Sequence, residues 1–376
     1  MYTKAKHIVI DARIRRASTG RPVDRFLSWL PALDKENNYT VLVEPSDDIK
    51  FDAPNIQTVV CKYKRFSMNP LQQIGFAWQL YGLNPDLVYF TMTGLTPLLY
   101  FGKNVTFTHD LTMLRFARAS KLPEWLHAIR MAGYRLLFWG GNASANKIIV
   151  PTKFVKEDLA RYSANLANKI EVVYEAGDLP KAVKASPPKF KVQSSKFKFL
   201  FHVGSPFPHK NINNLVLAFE KLKETKPDLK LVLSGKKEFY FDQLEDWLKG
   251  RKYSEDIIIT GFISDAELKW LYENAECYVL PALSEGFGLP GLEAMAHGCP
   301  VVSSNATCLP EVYGEAAEYF DPNSANDMTR AINKVIESPD LRKNLVENGK
   351  KQLAKYSWEK MSQEILDIIK MTLGIK

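Results

Sequence analysis

Residues Tyr278–Val302 read YVLPALSEGFGLPGLEAMAHGCPVV. An apolar run ends near Leu280, a glycine-punctuated loop follows, and a helical pattern runs from Leu289 to His297. A second short apolar run begins at Val301. Strand, helix and strand at this spacing predict a βαβ unit with parallel strands and a right-handed crossover.

The same alternation extends in both directions. Around the quoted stretch, strands are expected at Phe197–Val203, Lys230–Leu233, Asp256–Ile259, Cys277–Leu280, Val301–Ser303 and Ala317–Phe320. An earlier series lies at His7–Ile10, Tyr39–Val43, Leu87–Phe90, Val105–Thr108, Lys147–Val150 and Ile170–Val173. Helical patterns such as Asn211–Leu222 and Asp265–Asn274 lie between strands. The fold class is therefore α/β, with two doubly wound Rossmann-like domains, which suits a chain of 376 residues. Between the two series, Lys181–Lys198 (KAVKASPPKFKVQSSKFK) holds six lysines, no acid and a Pro-Pro pair. Self-repelling charge and paired prolines suit an exposed connector. The expected division is an N-terminal domain over 1–180, a linker over 181–196 and a second domain over 197–355.

Hydrophobic residues at 46% and charged residues at 24% exclude a largely disordered chain. Lys and Arg total 50 against 42 acids, a net charge of +8. That surplus suits an anionic partner: nucleotide, nucleic acid or acidic membrane surface. Cys61, Cys277, Cys299 and Cys308 include no CxxC pair, so a reduced, cytoplasmic chain is expected. The start, MYTKAKHIVID, carries no apolar export signal. The uncharged run Leu87–Gly102 contains Gly94, Pro97 and three threonines, which favours strand and loop over a membrane span. Residues 115–135 hold five basic residues and one acid, Glu124, interleaved with Trp125, Leu126, Ile129, Met131 and Tyr134. Such a segment suits either an anionic membrane surface or a helix packed on the sheet with solvated arginines.

In open α/β sheets, ligands bind beyond the carboxyl ends of the strands. With two such domains, the expected site is a cleft between them, lined by residues that follow strands. Glu285-Gly286-Phe287-Gly288 opens a helix at Leu289, and a helix N-terminus with glycines before it seats a phosphate. Glu285 lies in the loop and Glu293 about one turn into the helix. Carboxylates there accept hydrogen bonds from sugar hydroxyls. Isolated glutamates are usually solvated; the glycine frame and flanking strands favour binding here. In Phe199–Phe219 a strand ends at Val203, Gly204 makes a turn, and Lys210 precedes a helix with Asn211 as its expected N-cap. A lysine at that place can neutralise a diphosphate. His109 and Asp110 follow the Val105–Thr108 strand, where an imidazole can contact a substrate hydroxyl or stabilise developing charge. Ser18-Thr19-Gly20-Arg21 forms a flexible turn before a helix from Pro22.

Taken in order, the Gly20 loop, His109-Asp110, G-x5-K-N at Gly204–Asn211, EGFGLPGLE at 285–293 and AHGCPVV at 296–302 resemble GT-B-fold retaining glycosyltransferases, the group that includes glycosyltransferase family 4. The likeness covers nearly the whole chain, and the E-x7-E spacing is its most specific part. It implies that His109, Lys210 and Glu285 are catalytic. Glu285 would hold donor-sugar hydroxyls and Glu293 the nucleotide ribose. Gly204, Lys210 and the N–H groups of Gly286, Phe287, Gly288 and Leu289 would grip the diphosphate. Gly261 and Phe262 would lie near the base, His109 at the transferred sugar, and Gly20 near the diphosphate and the acceptor. The tail KYSWEKMSQEILDIIK resembles the family's last helix, so 356–376 is expected to cross back to the N-terminal domain. Two positions depart from the pattern. Ser205 and His209 stand where arginine is common, which shifts phosphate charge onto Lys210. TGRPVDRF at 19–26 replaces the usual TGIGRY, so only Gly20 is carried over.

The implied reaction moves a hexosyl group from a nucleotide-diphosphate sugar to a hydroxyl of a glycan or lipid-linked acceptor, with retention, in cell-envelope polysaccharide or glycolipid synthesis. The donor is a substrate, and no cofactor is expected. No metal is expected either, because Asp-x-Asp is absent and the histidines show no ligand spacing. A nucleotide-sugar epimerase or a phosphorylase on the same fold is the alternative. A nucleic-acid-binding protein would need a concentrated basic face, and the main basic run reads as a connector, so no nucleic acid is expected. The expected location is cytoplasmic or peripheral at the inner face of the membrane.

Overall fold

A computed structural model of the chain describes residues 4–17, 19–116, 123–177, 183–188 and 197–375. Ser18, residues 117–122 of the basic segment, and 181–182 and 189–196 of the connector lie outside the described residues. The chain divides into two compact units, Met1–Glu175 with Ser357–Lys376, and Ala176–Tyr356.

The first unit begins with β1 (His7–Asp11), α1 (Arg21–Leu33), β2 (Asn38–Val43), β3 (Ile56–Val60), α2 (Pro70–Gly82) and β4 (Leu87–Phe90). It continues with β5 (Asn104–Phe107), α3 (Thr112–Arg115), α4 (Glu124–Ser144), β6 (Lys147–Val150), α5 (Lys153–Tyr162) and β7 (Ile170–Val172). The seven strands pair in parallel in the order β3-β2-β1-β4-β5-β6-β7. Central strands such as β1 and β4 are apolar and buried because helices cover both faces. The edge strand β3 (IQTVV) was absent from the sequence expectations. Most of its residues face solvent, so no apolar run marks it.

Local chemistry sets the helix starts. Asn69 caps α2 by accepting from Leu71 N, and Pro70 fits its first turn. The basic segment does not form one helix. Arg115 ends α3 and pairs with Asp158, and α4 begins only at Glu124. The turn before α1 is tied, Ala17 N donating to Ile14 O at 2.7 Å and Gly20 N to Ala17 O at 2.9 Å. Gly20 has an ordinary φ of −82°. Its missing side chain matters because a Cβ would lie 2.0 Å from Arg15 O.

The second unit holds β8 (Phe199–Val203), α6 (Ile212–Lys223), β9 (Lys230–Ser234), α7 (Phe239–Leu248), β10 (Ile257–Gly261) and α8 (Asp265–Asn274). It ends with β11 (Cys277–Leu280), α9 (Leu289–Ala296), β12 (Val301–Ser304), α10 (Leu309–Tyr313), β13 (Ala317–Phe320), α11 (Ala325–Glu337) and α12 (Pro339–Leu353). Its six parallel strands run β10-β9-β8-β11-β12-β13. Leu200, Leu231, Leu233 and Val279 pack with Leu215, Phe219, Met328 and Ile332 in its core.

The last helix, α13 (Trp358–Leu373), belongs to the first unit. It packs on α1 and against β4, β5 and β6, burying Met361, Ile365, Leu366 and Ile369. Lys370 Nζ reaches Asp34 Oδ2 at 3.6 Å. Strand order reverses between β1 and β4 in one sheet and between β8 and β11 in the other. The carboxyl ends flanking such a reversal diverge and leave a crevice for ligand.

Candidate functional site

In the second unit, two loops meet at the β8/β11 reversal. After β8, Gly204 N donates to Ser234 O at 2.8 Å with φ at +142°, and the chain turns through Pro208–Lys210. After β11, the segment Pro281–Gly288 leads into α9. Leu283 N donates to His209 O at 2.7 Å, stitching one loop to the other. Asn211 stands at the start of α6 in a left-handed conformation (φ 60°), and its side chain does not cap the helix. Its Nδ2 donates to Pro281 O at 3.0 Å and to Pro322 O at 2.8 Å. Asn211 holds the expected N-cap position, since Leu215 N donates to its carbonyl oxygen at 3.3 Å, but its amide cross-braces strand ends instead of capping.

The glycine loop is held from several sides. Glu285 N donates to Thr307 Oγ1 at 3.2 Å, Ser304 Oγ to Ala282 O at 2.6 Å, and Tyr313 Oη to Gly288 O. Gly288 is left-handed at φ 88°. A Cβ there would lie 2.5 Å from Tyr313 Oη, so glycine is required by both angle and space.

Within this frame Lys210 Nζ donates to Glu285 Oε1 at 2.6 Å. Both side chains are mostly buried, at 20% and 12% exposed. The pair places a cation and a carboxylate side by side at neighbouring strand ends, next to the N-terminus of α9. Gly286 and Phe287 complete the loop, and Leu289 is the first residue of α9. Glu293 is buried within α9 and accepts from Tyr272 Oη at 3.3 Å. Gly261 ends β10 with φ at +74°, and Phe262 beyond it is 84% exposed.

The glycosyl transferases group 1 sequence profile matches residues 186–352, which includes all of this loop system. Over those residues the chain is similar to the group 1 glycosyltransferases. The O-antigen chain mannosyltransferase B of Escherichia coli is 30% identical over 233 residues, 61% of this chain and 61% of that protein. The alignment thus spans about three fifths of that relative's length. Among solved structures, a sucrose-phosphate synthase from Thermosynechococcus elongatus superposes with a TM-score of 0.76 at 16% identity, over 98% of this chain and 99% of that one. The Anabaena protein Alr3699/HepE, solved with UDP and glucose, gives 0.73 at 17% identity over 97% and 99%. At such identities the likeness is one of fold, and that fold is GT-B.

The absence of arginine at Ser205 and His209 has a structural sequel. The second unit has three arginines, and each is paired elsewhere. Arg251 pairs with Glu220, Arg330 with Asp327 at 2.6 Å, and Arg342 with Glu276. Among the described residues, Lys210 stands beside Glu285 at the β8/β11 reversal, while the arginines of this unit are engaged elsewhere.

His109 and Gly20 fall in the first unit. His109 follows β5, with Nε2 3.1 Å from Thr91 O and Nδ1 3.6 Å from Glu175 Oε1. Glu175, buried, was not among the sequence candidates. Its signal was a carboxylate just after the β7 run, the same signal that singled out His109. Two further groups escaped sequence reasoning. Asp11 and Arg13, at the end of β1, form a buried bidentate pair at 2.8 and 2.6 Å. His202, within β8, is buried and hydrogen-bonds Val279 O through Nδ1 at 2.8 Å. Burial pushes its pKa down to about 4, so the ring is neutral at pH 7.

Proposed function

We propose that the chain transfers a hexosyl group from a nucleotide-diphosphate sugar to a hydroxyl of a glycan or lipid-linked acceptor, in O-antigen-type cell-envelope polysaccharide assembly. The observation that carries this reading is the Lys210–Glu285 pair at the strand reversal of a group 1 domain. A donor entering there offers both partners a replacement. The diphosphate takes over Lys210, and the sugar hydroxyls donate to Glu285. Glu293 takes the ribose, the Gly286–Leu289 turn and Gly204 admit the phosphates, and Phe262 lies toward the base. In the first unit, His109 would contact the transferred sugar and Gly20 the acceptor side. The similar O-antigen mannosyltransferase makes mannose the first donor sugar to test.

In the reaction, the bond from the anomeric carbon to the diphosphate oxygen breaks as the acceptor oxygen bonds that carbon. Front-face attack retains configuration, and the acceptor proton passes to the departing phosphate. Negative charge grows on that leaving group. Lys210 and the α9 N-terminus act where charge develops, which lowers the barrier rather than merely tightening binding. These two sources of positive potential take the role that a metal ion has in other transferases, so a chelator should leave turnover unchanged.

The decisive experiment incubates the protein with UDP-, GDP- and ADP-sugars plus acceptor glycans, and measures both nucleotide release and the glycosylated product. Glu285→Ala and Lys210→Ala should each lower turnover by about 10²–10³. Full activity in either variant would refute the site. Epimerised free donor without transfer would favour the epimerase reading.

A further inference from the structure

The first unit carries a surface that the site does not use. In α4, the buried residues Leu137, Phe138, Gly141 and Asn142 lie on one side. The opposite side is apolar as well. Trp125, Ile129, Leu136 and Trp139 are 67%, 55%, 52% and 52% exposed. At 100° per residue they fall within about 80° of the helix circumference. A helix on the surface of a soluble protein normally turns charge outward there, and one that is apolar on both sides has a second apolar environment.

A parallel case lies on α2. Leu71, Ile74, Trp78 and Tyr81 are exposed and also share about 80° of its surface. Leu99 and Phe101, the latter 79% exposed, join them, because Tyr81 Oη accepts from Phe101 N at 2.9 Å. Segments that adjoin α2 lie against α4. A Cβ on Gly133 of α4 would lie 1.8 Å from Met68 Cε, and one on Gly140 would lie 2.6 Å from Leu98 Cδ2. Met68 leads directly into α2, and Leu98 N donates to Gln73 Oε1 of α2 at 3.3 Å.

Charge around this face is one-sided. Lys62, Lys64, Lys103 and Arg135 are exposed on these segments, whereas Arg130 lies on the side of α4 that carries Leu137 and Gly141. Residues 60–83, 97–103 and 124–140 contain one acid, Glu124. Tryptophan and tyrosine on segments that carry cations and a single acid suit the headgroup level of an anionic bilayer, where the ring body meets acyl chain and the polar edge stays wet. Among the described residues, no helix is long and apolar enough to cross a membrane, so the chemistry is that of lying on the surface.

We propose that the α2–α4 face of the first unit docks on an anionic lipid surface. This deepens the transferase reading, on which it rests for its purpose, by adding a membrane partner and the side chains that meet it. The surface is wider than the basic segment 115–135, since its more exposed aromatics include Trp78 and Phe101 of α2 and the following loop.

The test is sedimentation of the full chain with vesicles of phosphatidylcholine, with and without phosphatidylglycerol. The wild type should sediment with the anionic vesicles only, less so in high salt, with a blue shift of tryptophan emission. A Trp78→Glu, Phe101→Glu, Trp139→Glu variant should bind at least about tenfold more weakly. Its circular dichroism and its nucleotide release with a soluble acceptor should be unchanged. Lys103→Glu with Arg135→Glu should weaken anionic binding without altering the fold. Wild type that stays in the supernatant, or a triple variant that still sediments, overturns the proposal. So does concentration-dependent dimerisation through this face without vesicle binding. Vesicle binding in a chain that releases no nucleotide from any donor would leave the surface standing and sink the transferase reading alone.

Discussion

At the residue scale, position and energetic weight separate. Lys210 and Glu285 could be located by sequence because each follows an apolar run at a glycine turn, and the structure places both at strand ends. Their pair is mostly buried, so removing the lysine leaves the Glu285 carboxylate without its partner and should cost the fold about 1–3 kcal/mol. Lys210→Ala should therefore lower the unfolding temperature by only a few degrees while turnover collapses. A shift of many degrees would show the lysine to be structural. His202 presents the reverse case. Its folded pKa of about 4 lies below the usual value near 6.5, so the unfolded chain binds the extra proton between those pH values. Stability is full above pH 6.5 and falls as the pH drops toward 4, by on the order of 3 kcal/mol in total. His202→Gln should flatten that slope in denaturant unfolding of the second unit, and an unchanged slope would contradict a neutral buried ring. Nothing in the string HVG announces this. Burial of His202 depends on β8 lying between β9 and β11, and those neighbours come from distant parts of the chain.

At the element scale, the central strands were readable because burial on both faces makes them continuous apolar runs, and β3 was not because Gln57, Thr58 and Val60 face solvent and leave it no such run. The start of α9 was readable for a different reason: glycine is needed where no other residue fits. Gly288 combines a left-handed φ with a gap closed by Tyr313 and Leu309. Gly288→Ala should cost roughly 2–4 kcal/mol, from backbone strain plus overpacking. It should also weaken nucleotide binding, because the loop carrying Glu285 moves with it. Gly250, left-handed at φ +82° but with open space around its Cβ position, is the control: Gly250→Ala should cost only the strain, about 1–2 kcal/mol, with no effect on nucleotide affinity. Titration calorimetry and denaturant unfolding of both variants check the pair. Equal losses of affinity would remove the special role of the α9 loop.

At the scale of the whole molecule, the chain visits the first unit, forms the second, and returns to the first through α13. A connector rich in lysine and proline was visible in the sequence, but the return was carried only by resemblance, since an amphipathic helix does not state which apolar face it will cover. In the structure α13 lies on α1, and its end is held by Asp34, which also accepts from Tyr39 Oη at 2.8 Å and Asn37 Nδ2 at 2.8 Å. Each unit thus owns a separate core, and the two should respond to separate perturbations. Ile365→Asp buries a charge in the α13 face and should speed amide exchange throughout β1, β4 and β5 of the first unit. A nucleoside diphosphate at about 100 times its dissociation constant should add about 2.7 kcal/mol to the second unit alone. Hydrogen exchange read peptide by peptide separates the two effects. If the nucleotide instead slowed exchange mainly in β1–β7, or if Ile365→Asp loosened β8–β13 to the same degree, the diphosphate seat would have to leave the β8/β11 reversal, and the cores would have to be one.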